Sequence, residues 1–290
     1  MRFLGNYIRL TVNNLTISYS DQGPDNTPVI IFIHGFPFNK SMWDKQVDAL
    51  KDNYRVIAYD VRGHGQSDEG KEDFSIDSFV NDLVGLIDAL KIDKVVLCGL
   101  SMGGYIALNA VEKHPKRFEA LVLSDTQCIA DAPEVKENRL NTIESIKKTG
   151  VADFAYESIK KLFAPESFST KKKEIAAVRE MIMNTSKHSL CNTLNALAER
   201  KETCSHLHKI NMPVLIMVGK EDKITTLAAA RFMHENIKDS YLAILEQSGH
   251  VANMENPEEF NIQLKLFLRR LEKKSRFPLI LKPAKNPDIF

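Results

Sequence analysis

Gly99-Leu100-Ser101-Met102-Gly103 places a serine between two glycines where an apolar run, Val95-Val-Leu-Cys98, gives way to a helical pattern. A sharp strand-to-helix turn there strains the serine backbone and lifts its hydroxyl clear of the sheet edge. The flanking glycines suit that turn because a side chain would collide with the neighbouring strand or helix. Ser101 therefore reads as a nucleophile, with Gly99 and Gly103 as its support, rather than as a small residue filling a turn.

A serine hydroxyl is a poor nucleophile at neutral pH, so it needs a base, a group that orients the base, and donors for an oxyanion. The chain offers each beside an apolar run. Gly219-Lys-Glu-Asp222 follows Pro213-Val-Leu-Ile-Met-Val, and Ser248-Gly249-His250 follows Tyr241-Leu-Ala-Ile-Leu245. The order Ser, Asp, His is one of the known chain orders of a catalytic triad. In that reading His250 takes the Ser101 proton and Asp222 fixes the imidazole tautomer. Glu221 and Asp125 are the other carboxylates that could serve as the acid. For the oxyanion the donors would be the backbone N–H of Met102, at a helix N-terminus, and that of Phe36 in His34-Gly35-Phe36-Pro37. Loss of one such donor typically costs about 3 kcal/mol of transition-state stabilisation. His34 and Gly35 read as scaffold for that loop. Arg62 and Asp60 read as holding the turn of Asp60-Val-Arg-Gly-His-Gly-Gln-Ser67, with His64 as a second base the lesser reading.

The elements that must position these groups follow from the apolar patterning. Tyr7 to Tyr19 reads as two short strands meeting near Asn13-Asn14. Continuous apolar runs from Pro28 and Arg55 have the character of buried parallel strands, as does Ala120-Leu-Val-Leu-Ser-Asp125. Phe79, Leu83, Leu86 and Leu90 recur at helical spacing, and Ile106, Ala110 and Val111 continue a helix past Ser101. This alternation predicts an α/β fold with a mostly parallel sheet. From Cys128 to Lys201 the pattern is helical: Ile175, Val178 and Ile182 share one face, and Leu190, Leu194 and Leu197 another. Asp131-Ala-Pro-Glu134 reads as a capping box. A last helix opens with Asn256 as N-cap and Pro257 at its first position, burying Phe260, Leu264, Phe267 and Leu271. The predicted divisions are an α/β core whose first segment spans residues 1–127, a helical cap over 128–204, a second core segment over 205–274, and a tail over 275–290 with three prolines.

Composition excludes several classes. With 39 basic and 38 acidic residues, the net charge of +1 gives no electrostatic footprint for nucleic acid or an anionic membrane. The longest apolar run, Val29 to Ile33, is far short of a span, and the first ten residues lack a continuous apolar core. Cys98, Cys128, Cys191 and Cys204 are scattered without a disulfide framework, which favours a reduced, cytoplasmic setting. Cys204-x-His206-x-His208 could present soft ligands to zinc, but no fourth ligand lies near, so no metal and no cofactor is expected. The lysine runs 171–173 and 273–274 read as solvated charge.

These motifs together resemble the α/β-hydrolase superfamily across residues 7 to 272. His34-Gly35-Phe36-Pro37 is similar to its oxyanion loop, and Asp60-x-Arg62-Gly63-His64-Gly65-x-Ser67 to its turn after strand four. Gly99-x-Ser101-x-Gly103, Gly219-x-x-Asp222 and Ser248-Gly249-His250 are similar to its triad positions. The resemblance implies an eight-stranded, mostly parallel sheet flanked by helices, with a helical cap inserted after strand six. Within the superfamily the motifs look closest to small carboxylesterases and enol-lactone hydrolases. Dehalogenases and epoxide hydrolases are disfavoured because their nucleophile is an aspartate. The expectation is hydrolysis of a small ester or lactone by a monomer or homodimer, in a pocket that apolar cap side chains such as Phe154, Phe163, Met181 and Met183 help to line. Trp43 is expected in the core, and Phe36 both there and at the pocket mouth. Carbon–carbon bond hydrolysis and cofactor-free perhydrolase or haloperoxidase chemistry would use the same triad positions. A ligand receptor that keeps the triad without turnover is the alternative of a different class.

Overall fold

The computed structural model describes residues 5–276. An antiparallel pair opens the chain: β1 (Gly5–Val12) and β2 (Leu15–Gln22) join through Asn13 and Asn14, both at positive φ, which a tight two-residue hairpin requires. The remaining strands are β3 (Val29–Ile33), β4 (Arg55–Tyr59), β5 (Val95–Leu100), β6 (Phe118–Ser124), β7 (Val214–Gly219) and β8 (Ser240–Leu245). They form one 8-stranded sheet in the order β1-β2-β4-β3-β5-β6-β7-β8, parallel from β4 onward.

The central strands are apolar throughout because both faces are covered. Successive side chains alternate between the faces. Ile31, Ile33, Val95 and Leu97 point to one core, while Ile30, Phe32, Val96 and Cys98 point to the other. The first core is closed by α2 (Ile76–Ala89), α3 (Met102–Lys113) and α9 (Leu227–Asn236). The second is closed by α1 (Asp44–Leu50) and α11 (Pro257–Arg276), the latter following the short α10 (Ala252–Glu255). Ser75 and Ser78 cap α2 reciprocally, and Asn256 Oδ1 accepts the Glu259 N–H at the start of α11. The predicted buried face of α11 is in place, with Leu271 at its partly covered end. Trp43 is wholly buried between Phe32 and Phe260, with ring centroids 4.7 and 6.0 Å away.

Between β6 and β7 the chain runs through α4 (Pro133–Thr149), α5 (Val151–Leu162), α6 (Ser167–Thr170), α7 (Lys172–Met183) and α8 (Lys187–Ala198). Val178 and Ile182 of α7 join the second core, with Ile175 partly covered beside them. Leu190 and Leu194 of α8 pack on Ile143 and Ile146 of α4, while Leu197 faces the first core. Glu69 fastens the start of α8 to the loop after β4, accepting from the Ser189 hydroxyl at 2.7 Å and meeting His188 Nδ1 at 2.8 Å.

Two expectations about caps and cysteines drawn from the sequence are overturned by the structure. Asp131 does not cap α4. Pro133 takes the first helical position and Ala132 precedes it without a side-chain cap, whereas Asp131 is consumed by Arg200 at 2.7 Å and Arg139 at 2.5 Å. The cysteines do contain one bridge: Cys128 and Cys204 form a disulfide with Cα atoms 4.9 Å apart. Their 76-residue separation hid it, because only the fold returns the chain after α8 to the end of the β6 loop. Cys98 and Cys191 are free and buried. Among the described residues, no helix is long and apolar enough to cross a membrane. The expected tail lies outside the described residues from position 277 onward.

Candidate active site

Ser101 stands between the last residue of β5 and the first of α3, at φ 54° and ψ −113°. A non-glycine residue there carries about 1–3 kcal/mol of strain and persists only when its surroundings over-determine it. They do so at both ends of the residue. The Ser101 N–H donates to Ser124 O at 3.0 Å, and its carbonyl accepts from Gly104 N, Tyr105 N and the Thr126 hydroxyl, the last at 2.8 Å. Gly103 is required by close approach: a Cβ there would sit 2.3 Å from the Ile33 carbonyl oxygen.

Three strand ends then bring the predicted groups together. The Ser101 Oγ lies 2.9 Å from His250 Nε2, and His250 Nδ1 lies 2.9 Å from Asp222 Oδ2. Ser101, His250 and Asp222 are all buried. With Asp222 accepting at Nδ1, the Nδ1–H tautomer leaves the Nε2 lone pair facing the serine hydroxyl. Burial works to lower the His250 pKa, but the Asp222 carboxylate outweighs it and the result is a raised value. Burial likewise works to raise the Asp222 pKa, yet the facing imidazole and its other donors leave it lowered. Those donors are the N–H groups of Ile224 and Thr225 at 2.8 and 3.1 Å and the Thr225 hydroxyl at 2.6 Å.

Among the candidate carboxylates, Asp222 is the one in hydrogen-bond contact with the ring. Asp125 is wholly buried nearby but accepts from Gly219 N and the Ser124 hydroxyl, both at 2.8 Å, and so secures the end of β7. Burial, with Asp222 opposite, pushes its carboxyl well above the usual range. Glu221 lies on the loop after β7, its backbone N–H bonded to Ser248 O.

The loop after β3 carries the other expected donor. Phe38 N–H closes a turn on Gly35 O at 2.9 Å, and among the described residues the Phe36 N–H has no acceptor. Met102 opens α3, where the first N–H groups have no intrahelical acceptor. His34 is scaffold: its Nε2 accepts the Val61 N–H at 2.9 Å and its Nδ1 donates to Gly35 O at 2.8 Å, a neutral arrangement that burial reinforces by pushing its pKa well down. Asp60 and Arg62 hold their turn. Asp60 accepts from Lys40 N at 2.7 Å and Gln66 N at 3.0 Å, and pairs with Lys40 Nζ at 2.6 Å. Arg62 grips Asp82 through two bonds of 2.6 and 2.7 Å, a buried pair whose disruption would cost about 3–5 kcal/mol. His64 bonds Arg62 O through Nδ1 and packs edge-on to Phe36.

Of the apolar residues expected to line a pocket from above, Phe154 of α5 lies with its ring centroid 6.0 Å from that of Phe36. Phe163 and Met181 are buried in the second core. Met183 departs from the expectation: it is 42 % exposed, because the end of α7 turns it outward. Cys204 belongs to the disulfide and His206 sits 3.1 Å from Glu112; among the described residues no group of three His, Cys, Asp or Glu side chains could hold a metal ion. The sequence reading missed Thr225, Thr126 and Glu255. The Asp222-x-x-Thr225 spacing, typical of a side-chain-capped turn, could have found the first.

The comparisons with known proteins bear on the family and the fold. Residues 28–257 match the family described as alpha/beta hydrolase fold. The 3-oxoadipate enol-lactonase 1 of Acinetobacter baylyi is 32 % identical over 247 residues, covering 84 % of this chain and 90 % of that protein. A thermophilic esterase from Thermogutta terrifontis superposes with a TM-score of 0.87 at 30 % identity, covering 92 % of this chain and 99 % of its own. The enol-lactonase from Burkholderia xenovorans gives 0.85 at 27 % identity, over 90 % and 100 % of the two chains. With its sheet order, its strained strand-to-helix serine and a match across most of its length, the chain belongs to the α/β-hydrolase fold family.

Proposed function

We propose that the protein is a serine hydrolase of small carboxylic esters or lactones. The observation that carries this is the unbroken relay from Ser101 Oγ through His250 to Asp222, each link 2.9 Å long. In this reading His250 removes the Ser101 proton as the hydroxyl attacks the substrate carbonyl. The Phe36 and Met102 N–H groups receive the oxyanion, and His250 returns the proton to the leaving alkoxide. The resulting acyl-enzyme is hydrolysed by a water that His250 activates. Asp222 holds the ring tautomer and stabilises the transient imidazolium. The half-buried Phe36 and Phe154 rings offer an apolar wall suited to modest uncharged acyl groups. Relatives that act as an enol-lactonase and an esterase support the same substrate class. Residues 128–204 would then act as a cap over the serine.

Stopped-flow hydrolysis of p-nitrophenyl acetate and butyrate tests this. A burst equal to the enzyme concentration, absent in Ser101→Ala, is the expected outcome. Wild type no faster than Ser101→Ala would sink the ester and lactone reading.

A further inference from the structure

We propose that Glu255 is a positioning residue for His250, tying the general base to the helices inserted between β6 and β7 so that it is in place only while they are seated. This rests on the serine-hydrolase reading above and extends it to a residue outside the triad.

Glu255 ends α10 and is 1 % exposed, yet its carboxylate reaches two separate regions of the chain. Its Oε2 accepts the N–H of Gly249, the residue before His250, at 2.6 Å. Its Oε1 accepts the Ala164 N–H at 2.8 Å, in the α5–α6 connection, and the Ser167 hydroxyl at 2.6 Å, at the start of α6. All three contacts are donors, which a carboxylate satisfies and a protonated acid does not. The His250 N–H adds a direct tie to Leu162 O at 2.8 Å. Residues 162–167 therefore meet the loop that carries the base through one shared carboxylate and one backbone bond.

The fit is close enough to demand glycine. A Cβ on Gly249 would lie 2.8 Å from both Ala164 N and Leu162 O, so the loop passes against bare backbone. Asp222 orients the imidazole ring, whereas Glu255 fixes the backbone from which that ring projects. A buried anion with three donors holds them far more firmly than a neutral acceptor would. Three acids face His250: Asp222 from the loop after β7, Asp125 from the end of β6, and Glu255 from α10; each favours the charged imidazole. Glu255 itself is faced by Glu221 and by its three donors; burial raises its pKa and the donors restrain the rise.

The test compares full-length wild type, Glu255→Gln, Ser167→Ala and Ser101→Ala on p-nitrophenyl acetate across pH. The His250 imidazole is titrated in parallel by NMR, its signal assigned with His250→Gln. Glutamine keeps the shape but turns an amide NH₂ toward one of the existing donors. Its kcat should fall about tenfold or more with KM little changed. The acid limb of the rate profile and the NMR titration of His250 should both move to lower pH, because a nearby anion is gone. Ser167→Ala loosens only the tie to the α5–α6 connection and should lower kcat in the same direction by a smaller factor. A folded Glu255→Gln with wild-type kcat and an unmoved His250 titration overturns the proposal. So does a loss of kcat with the titration unmoved and Ser167→Ala unaffected, which is the mark of packing alone. Should Glu255→Gln fail to fold, wild-type kcat in Ser167→Ala overturns it. If wild type is no faster than Ser101→Ala, the hydrolase reading has failed instead. The NMR titration then decides the link between Glu255 and His250 by itself.

Discussion

Replacing Gly103 by alanine separates the placement of the nucleophile from its chemical identity, since no reacting group changes. The added methyl would stand 2.3 Å from the Ile33 carbonyl oxygen and 2.9 Å from that of His34. An ordinary carbon–oxygen contact is about 3.4 Å, so roughly 1 Å of movement must be found. β3 cannot supply it, because Ile33 is held in register by Tyr59 on one side and Gly99 on the other. The start of α3 must retreat, and Ser101 and Met102 retreat with it. A serine–histidine separation of 2.9 Å would open to about 4 Å, beyond hydrogen-bond range. Misplacement of this size costs about 10²-fold in rate, and the shifted Met102 donor adds to the loss. The expected result is a fall in kcat of about 10²-fold or more, with a stability cost of about 1–3 kcal/mol from overpacking. Steady-state and burst kinetics on p-nitrophenyl acetate, run well below the measured Tm, provide the assay. A folded Gly103→Ala with kcat within about threefold of wild type would show that the elbow tolerates displacement, and the reasoning would be wrong.

Further outcomes follow from the relay and the disulfide. In the proposed mechanism turnover needs neutral His250, whose pKa is raised, so the rate should climb with pH through a midpoint above the ordinary imidazole value of 6.5. Asp222→Asn should lower kcat by about 10⁴-fold and bring that midpoint down; an unmoved midpoint would count against Asp222 as the source of the shift. The same pair stabilises the fold within a window. His250 contributes at low pH and loses its contribution as pH rises through its raised pKa, while the Asp222 contribution is lost as pH falls through its lowered one. Opening the Cys128–Cys204 bridge, by a thiol reductant or by Cys128→Ser with Cys204→Ser, should destabilise the protein. Closure of a 76-residue loop contributes about 4.5 kcal/mol on the chain-entropy account, so thermal melts should show Tm lower by several degrees. Identical melts in oxidised and reduced protein would remove the bridge from the stability argument.

The sheet and the triad geometry were legible because both are written locally. Buried parallel strands are continuous apolar runs, and Ser101, Asp222 and His250 each follow the end of one, where an open parallel sheet gathers its ligand-binding loops. What stayed hidden depends on which distant segments meet. Asp125 and Asp222 both follow apolar runs, and only three-dimensional placement assigns one to His250 and the other to the Gly219 N–H. Asp131 stands where a cap belongs, but two arginines from α4 and the chain after α8 claim it. Glu255 looks like an ordinary acidic residue near a helix start, and nothing adjacent announces its contacts 88 and 91 residues away. Periodicity places Met183 in a helix without saying that its end turns to solvent.

Ser101 and His250 are 149 residues apart in the chain, and β6 and β7 lie between β5 and β8 in the sheet. Their hydrogen bond therefore exists only when four neighbouring strands have docked in order. Contacts of such long range carry the loop-closure entropy of folding and form late, after local helices have gained most of their structure. On the serine-hydrolase reading proposed above, Ser101 would lack its base in nascent or partly folded chains. On that reading its hydroxyl would gain a base only once the surrounding sheet is complete, and turnover would report that the fold has been finished rather than begun.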